Sequence, residues 1–273
     1  MKQRYHILDE IRGITLCSMI LYHAVWDLVY MFGRDWKWYR SDIAYLWQQS
    51  ICWSFILLSG FCFSLGKKKL KRGLTVFGAG VVISLVTEIF MPANRIRFGV
   101  LTLLGSSMLI MAAVERVAAK MRSKEKSCEV QPGKAMNEQK ESLRGEKFRL
   151  KVCMILSFLM FALTKRINYG YLGFADVRIL DLPTRLYEMG DFGTFLGFTE
   201  STFFSTDYFS LMPWFFLFLT GYFLHKRFVE KEWIIGLAKL PSLGKWWRPI
   251  GKHSLLIYML HQPVIYGVLY VLA

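Results

Sequence analysis

Residues 11–32 read IRGITLCSMILYHAVWDLVYMF, a long apolar stretch that can cross a bilayer as a single helix. A spanning helix needs about 20 mostly apolar residues to cover about 30 Å of hydrocarbon, and it satisfies its backbone hydrogen bonds within the segment. The stretch is too long for the apolar region of a signal peptide, and it contains His23 and Asp27. We therefore expect it to remain in the protein as the first transmembrane helix.

The chain as a whole has the composition of a membrane protein. Of its 273 residues, 54% are hydrophobic and only 20% are charged, whereas soluble domains carry about 45–50% apolar and about 25% charged residues. A net charge of +15 is also typical of proteins that bind nucleic acid, but here the Lys and Arg residues lie in short clusters between apolar stretches. We therefore expect the lipid bilayer as a partner and no nucleic acid. The five cysteines form no CxxC pair, so we expect neither a disulfide framework nor a metal site.

Seven apolar segments predict an all-α fold, a bundle of about seven transmembrane helices. They are residues 11–32, 44–66, 73–91, 98–114, 148–164, 208–225 and 253–272. If the N-terminus is cytoplasmic, the inside segments carry 26 of the 35 Lys and Arg residues. This asymmetry follows the positive-inside rule and predicts that the N-terminus is inside and the C-terminus outside.

Two polar segments interrupt what we expect to be a single transmembrane domain over residues 1–273. Residues 120–147 are rich in Lys, Glu and Gln, which predicts a mobile cytoplasmic linker. Residues 165–207 combine Gly, aromatic residues and carboxylates, which predicts an extracellular loop that is either functional or a plain connector. The carboxylates are Asp176, Asp181, Glu188, Asp191, Glu200 and Asp207.

Ionisable side chains in the first span are the clearest candidates for a functional site, because each costs at least about 2.5–3.5 kcal/mol in hydrocarbon. Arg12 and His23 are three helical turns apart, so both lie on one face, about 16 Å from each other along the axis. Asp27 follows His23 by one turn on that face, and Asp9 can pair with Arg12. The pattern predicts either a base, His23, that Asp27 orients, or two polar residues that only hydrogen-bond neighbouring helices.

The last span, which contains HSLLIYMLHQPVI from residue 253, places a second histidine near mid-membrane. His261 lies about 12 Å beyond His253 along a helix, at a depth close to that of His23. Pro263 cannot donate to the helix ladder and should kink or loosen the helix there. We therefore take His261 as a third candidate catalytic residue. The alternative is that it only hydrogen-bonds the backbone that Pro263 frees.

Three stretches of the sequence resemble one family of membrane enzymes. LDEIRG at 8–13, followed by SMILYHAVWDL at 18–28, resembles the start of the bacterial heparan-α-glucosaminide N-acetyltransferase-like catalytic domain, and GKHSLLIYMLHQPVI at 251–265 looks like its final helix. The spacing of Arg12 and His23 is similar to that of the Arg/His pair in transmembrane acyltransferases that O-acetylate surface glycans. FGVLTLLGSSML at 98–109 resembles a family stretch that carries a His where this chain has Thr102.

The resemblance implies a membrane acyltransferase in a bacterial-type plasma membrane. It would move an acetyl group from cytosolic acetyl-CoA to a hydroxyl or amine of a glycan or a similar small-molecule acceptor, without a metal. The basic run KKKLKR at 67–72 would attract the CoA phosphates. The expected donor-binding residues are Asp9, Arg12, Lys67, Lys68 and Lys69. Two alternatives remain open, a small transporter whose His and Asp residues relay protons and a non-catalytic membrane subunit.

Overall fold

The computed structural model describes residues 5–128, 136–174 and 177–272. Over these ranges the chain forms ten α-helices and one β-hairpin. The helices are α1 (His6–Tyr30), α2 (Asp42–Phe63), α3 (Lys69–Phe90), α4 (Val100–Cys128), α5 (Met136–Leu163), α6 (Gly190–Leu196), α7 (Leu211–Glu230), α8 (Trp233–Lys239), α9 (Trp247–Lys252) and α10 (Ser254–Leu272). The strands β1 (Tyr171–Phe174) and β2 (Val177–Asp181) pair antiparallel, which corrects the all-α expectation within the loop predicted for 165–207. Asp176, one of the carboxylates of that loop, lies outside the described residues.

Each of the seven predicted spans coincides with a helix. Five helices in the described ranges are long and apolar enough to cross a membrane, namely α1, α2, α3, α10 and the Val100–Met121 part of α4. Apolar side chains cover their outer surface, as Phe90 in α3 is 76% exposed and Val271 in α10 is 82% exposed. Large exposed apolar surfaces of this kind mark contact with a membrane. The chain is therefore an integral membrane protein with a mostly helical fold.

The segment predicted as a cytoplasmic linker is helical over most of its described length. Helix α4 continues to Cys128 and α5 begins at Met136, while residues 129–135 lie outside the described residues. Lys, Glu, Gln and Arg dominate this segment, and all four are strong helix formers. The polar segment therefore extends α4 and α5 beyond their apolar parts. The mobility of the segment stays a prediction.

The chain divides into two compact units. The first comprises Met1–Leu58 and Lys231–Ala273, and the second comprises Ser59–Glu230. The first unit brings together α1, most of α2, and the helices α8, α9 and α10 from the other end of the sequence. The candidate residues of the first and last spans therefore belong to one unit.

In the first unit, α1 packs closely against α9 because two glycines allow backbone contact. A Cβ atom added to Gly251 would lie 1.8 Å from the carbonyl oxygen of Asp9, and one added to Gly13 would lie 2.3 Å from that of Trp247. The sequence therefore needs glycine at both positions, since no side chain fits between these backbones.

Helix α10 runs parallel to α1 along the same unit. Near the start of α1, Asp9 meets Gly251 just before α10 begins. Further along, the rings of His23 and His261 are in contact, and beyond the end of α1 the ring centroids of Phe32 and Tyr266 are 5.9 Å apart. This parallel alignment brings the middle of the first predicted span beside the middle of the last one.

The second unit contains two packed helix pairs, α3 with α4 and α5 with α7. A Cβ on Gly80 of α3 would lie 2.7 Å from the backbone nitrogen of Thr102 in α4. Thr102 is buried and donates a hydrogen bond of 2.6 Å to the carbonyl oxygen of Gly99. The position where the resemblance expects a His therefore serves helix packing in this chain.

Candidate active site

The four ionisable residues expected on the first span all lie in one uninterrupted helix, α1. The Arg12 guanidinium is 3.5 Å from the Asp9 carboxylate, so the predicted pair is present at the start of the helix. His23 and Asp27 follow further along α1, and Asp27 is completely buried. The helical spacing of the sequence thus located these side chains correctly along one element.

His23 and His261 meet across the α1–α10 contact. Their ring centroids are 4.9 Å apart and the ring planes cross at 63°. The two histidines are 238 positions apart in the sequence, and the expectation that they share a depth is met because α1 and α10 run parallel. They form the centre of the candidate site.

The Nδ1 atom of His261 hydrogen-bonds the carbonyl oxygen of Tyr258 one turn earlier in α10. A carbonyl oxygen can only accept, so Nδ1 carries the proton and Nε2 holds the free lone pair. The carbonyl that Pro263 frees belongs to Met259, four residues before the proline. His261 therefore bonds the backbone one residue away from the predicted position, and α10 continues as one helix through Pro263.

Asp27 is bound by Gln262, which corrects the expectation that it orients His23. The Gln262 Nε2 atom donates a hydrogen bond of 2.7 Å to Asp27 Oδ1. Spacing of four residues puts Asp27 and His23 on one face of α1, but the carboxylate turns towards the amide of the neighbouring helix. Sequence reasoning missed Gln262, although a primary amide beside a histidine in an apolar span was a usable signal.

Three buried atoms of this cluster have no hydrogen-bond partner among the described residues. They are Asp27 Oδ2, His261 Nε2 and Gln262 Oε1. An unsatisfied buried polar atom costs about 1–3 kcal/mol, and such atoms in native proteins call for a functional or structural explanation. All three are hydrogen-bond acceptors, so the cluster is suited to a group that donates protons.

Aromatic side chains surround the α1 side of the cluster. Tyr22 directly precedes His23 in α1. Its ring centroid is 5.2 Å from that of Tyr39 and 5.2 Å from that of Trp47. Trp47 Nε1 donates to Ser18 Oγ over 2.8 Å, which ties α2 to α1. Burial raises the pKa of the Tyr39 phenol, so its hydroxyl stays protonated and donates to the Tyr22 carbonyl.

At the opposite end of α1, Glu10 joins the helix to α9 and to the segment before it. Its carboxylate is fully buried and accepts hydrogen bonds from Arg248 Nε at 2.5 Å, Ser242 Oγ at 2.8 Å and the Leu243 amide at 2.7 Å. Sequence reasoning chose Asp9 and Arg12 from LDEIRG and missed Glu10. Its partners lie more than 230 positions away, so only the fold could identify them.

The basic run of the second unit lines an open cavity of about 530 Å³. Lys67, Lys68 and Lys69 are joined there by further residues, which are Leu70, Lys71, Ala112, Glu115 and Arg116. Lys69 Nζ lies 2.5 Å from Glu115 Oε2, and Tyr222 donates to the other oxygen of Glu115. One lysine is thus held in an ion pair, and the lining keeps an excess of positive charge.

The expected donor-binding residues are divided between the two units. Asp9 and Arg12 belong to the first unit, whereas Lys67, Lys68 and Lys69 belong to the second. Within the described ranges, no group of three or more His, Cys, Asp or Glu side chains has a geometry that could hold a metal ion.

One family model matches most of the chain. It is described as heparan-alpha-glucosaminide N-acetyltransferase, catalytic, and it matches residues 4–123 and 147–263. The matched ranges include His23, Asp27, His261, Gln262 and the basic run at 67–72. No curated protein and no solved structure matches the chain.

Proposed function

The chain belongs to the family of the heparan-alpha-glucosaminide N-acetyltransferase catalytic domain, and from this premise we propose that it moves an acetyl group from cytosolic acetyl-CoA to a hydroxyl or amine of a saccharide or similar acceptor. It is an acetyltransferase-type membrane enzyme by its family and its helices. The donor, the acceptor and a location in a bacterial plasma membrane are parts of the proposal.

The observation that carries the proposal is the buried polar cluster on α1 and α10. Acetyl transfer needs a group that takes a proton from the attacking hydroxyl or amine, and a neutral histidine does this well near pH 7. His23 and His261 supply two such rings in contact. Asp27 of α1 adds a buried carboxylate that is hydrogen-bonded to Gln262 of α10. We propose these three residues as the catalytic centre.

We further propose that the protein has seven spans, and the contacts of the second unit support this count. The connection between α3 and α4 meets the segment that precedes α7, because Arg97 pairs with Asp191 at 2.6 Å and the Phe209 amide donates to the Phe98 carbonyl at 2.8 Å. Both segments must lie on one side of the membrane. Since α4 leaves that side, the chain must cross again through α5 before it reaches Asp191.

Helix α7 then supplies the return crossing. It starts beside the start of α4, and further along Tyr222 of α7 hydrogen-bonds Glu115 of α4. The two helices therefore run in parallel over a similar length. In the first unit, the parallel alignment of α1 and α10 requires an odd number of crossings. Both observations support termini on opposite sides of the membrane, and the positive-inside rule is the basis for proposing that the N-terminus is the inside one.

We propose that the donor's phosphates bind at the basic cavity of Lys67, Lys68 and Lys69. Four cationic side chains besides the paired Lys69 line this cavity, and an anionic ligand of several charges suits such a lining. Arg12, held by Asp9 at the start of α1, is a further proposed contact of the donor. The alternative is that these lysines only set the orientation of the neighbouring helices in the membrane and bind no donor.

Transfer of label from acetyl-CoA tests the proposal. The protein is purified in detergent, radiolabelled acetyl-CoA is added with a membrane glycan fraction, and label is measured on the acceptor, on the protein and as free acetate. We expect label on the acceptor, and loss of this transfer when His23 and His261 are both replaced by Ala. His253→Ala, at an exposed position directly before α10, is the matched control. A wild-type protein that moves protons across liposomes but neither binds nor consumes acetyl-CoA would instead be a transporter.

A further inference from the structure

We propose that His261, at its Nε2 atom, is the group that accepts the proton of the attacking hydroxyl or amine, and that Asp27 and Gln262 bind the acceptor molecule through its neighbouring hydrogen-bond donors. This inference rests on the proposed acetyl transfer and names its proton acceptor. The sequence pattern alone favours His23 in that role, with Asp27 as its orienting partner. The contacts of the two helices assign the roles differently.

The tautomer of His261 leaves its Nε2 atom able to accept a proton. Its Nδ1–H donates to the Tyr258 carbonyl, which leaves the lone pair on Nε2. This bond also holds the ring, because donor and acceptor belong to one turn of α10. Nε2 is buried and has no partner among the described residues. A general base needs this arrangement, with one nitrogen held by a hydrogen bond and the other available.

His23 lacks the corresponding bond. Within the described ranges no hydrogen bond fixes its tautomer, and Asp27 is engaged by Gln262. Its contact is with the ring of His261, 4.9 Å away. His23 is therefore a positioning residue that packs the His261 ring from the α1 side.

Asp27 and Gln262 together present two buried oxygen atoms as hydrogen-bond acceptors. The amide nitrogen of Gln262 is used by Asp27 Oδ1, which leaves Gln262 Oε1 and Asp27 Oδ2 as unsatisfied acceptors. Gln262 is adjacent to His261 on α10, and Asp27 is one turn beyond His23 on α1. Further hydroxyl or amine hydrogens of an incoming acceptor can donate to these oxygens while the proton of its attacking group is shared with Nε2.

The attacking oxygen or nitrogen forms a bond to the acetyl carbonyl carbon of the thioester, and its proton moves to His261 Nε2. The carbon–sulfur bond breaks, and the sulfur leaves with its electron pair. The imidazolium then returns the proton to the sulfur, which gives the free thiol of CoA and the acetylated acceptor. The Asp27 carboxylate stabilises the imidazolium while it exists.

His261→Asn is the discriminating variant. The Asn amide nitrogen occupies the position of Nδ1 and can keep the bond to Tyr258, but no base stands at the position of Nε2. We expect the turnover number to fall by about 10²–10⁴-fold, the usual worth of a general base, with unchanged affinity for acetyl-CoA. Gln262→Met should instead raise the KM for the acceptor. His253→Asn, directly before the same helix, is the control and should behave as wild type.

Chemical rescue separates a catalytic from a structural loss. Added imidazole should restore part of the activity of His261→Ala and should not rescue His23→Ala. Near wild-type turnover in a well-folded His261→Asn protein overturns the assignment, as does rescue of His23→Ala alone. If the wild-type protein neither binds nor uses acetyl-CoA, the proposed function is wrong, and the role of His261 falls with it. This outcome differs from an active wild-type protein whose His261 variants keep their activity, which would overturn the role of His261 alone.

Discussion

Replacing Gly251 by Ala should separate α9 from α1 and destabilise the first unit. The added Cβ would lie 1.8 Å from the Asp9 carbonyl oxygen and 2.8 Å from its carbonyl carbon. Both atoms belong to the backbone of α1, so no side chain can rotate away. To reach a Cβ contact of 3.0 Å, the two helices must move apart by about 1.2 Å, which a close-packed interior resists.

The size of the effect follows from this displacement. Overpacking a well-packed contact costs about 1–3 kcal/mol, and a clash between two backbones belongs at the upper end, about 3 kcal/mol. For chains of about 150–250 residues, 1 kcal/mol shifts Tm by about 2–4 °C, so Tm should fall by about 6–12 °C. The separation would also stretch the contact of Glu10 with Arg248, now 2.5 Å, beyond hydrogen-bond distance.

Thermal unfolding of the purified protein in detergent measures this change. Gly267→Ala is the matched control, because Gly267 lies in α10 with nothing within 4 Å of its added Cβ. Ala exceeds Gly in helix propensity by about 1 kcal/mol, so the control should be neutral or slightly stabilised. Equal Tm values for Gly251→Ala and wild type would refute the close backbone contact between α1 and α9.

Three further predictions test the site and the topology. Asp27→Asn keeps an oxygen that can accept from Gln262, but it replaces the unsatisfied carboxylate oxygen by an amide donor. The transfer rate should therefore fall by about 10–100-fold, which corresponds to the loss of one hydrogen bond to a charged group. An unchanged rate in the radiolabel assay would show that Asp27 is not part of the site. Changing Lys67, Lys68 and Lys69 together to Gln should weaken CoA binding by about tenfold, since each exposed ion pair contributes about 0.2–1 kcal/mol. Isothermal titration calorimetry with CoA measures this affinity. An unchanged affinity in a correctly inserted triple variant would mean that the lysines only set the membrane topology. A reporter that is active only in the cytoplasm should be silent when fused after the last residue, Ala273, and an active fusion would contradict the outside C-terminus.

The sequence alone predicted the membrane insertion and helical character of this protein. Insertion depends on the summed hydropathy of about 20 consecutive residues, a local property that can be read from a stretch such as 11–32. Helical periodicity then placed Arg12, His23 and Asp27 along one element, because each residue turns the helix by a fixed angle. The same local reasoning missed the hairpin of β1 and β2, whose strands of four and five residues are too short to give a clear pattern.

The tertiary structure decided which polar groups meet. The Asp27–Gln262 hydrogen bond and the buried contacts of Glu10 join residues more than 230 positions apart. Such contacts depend on the rotation of each helix about its axis and on how closely two backbones approach. Here that approach is set by glycines at the α1–α9 contact. Local hydropathy contains neither quantity, so sequence reasoning could name the two histidines but could not determine which one has an oriented ring and a free nitrogen.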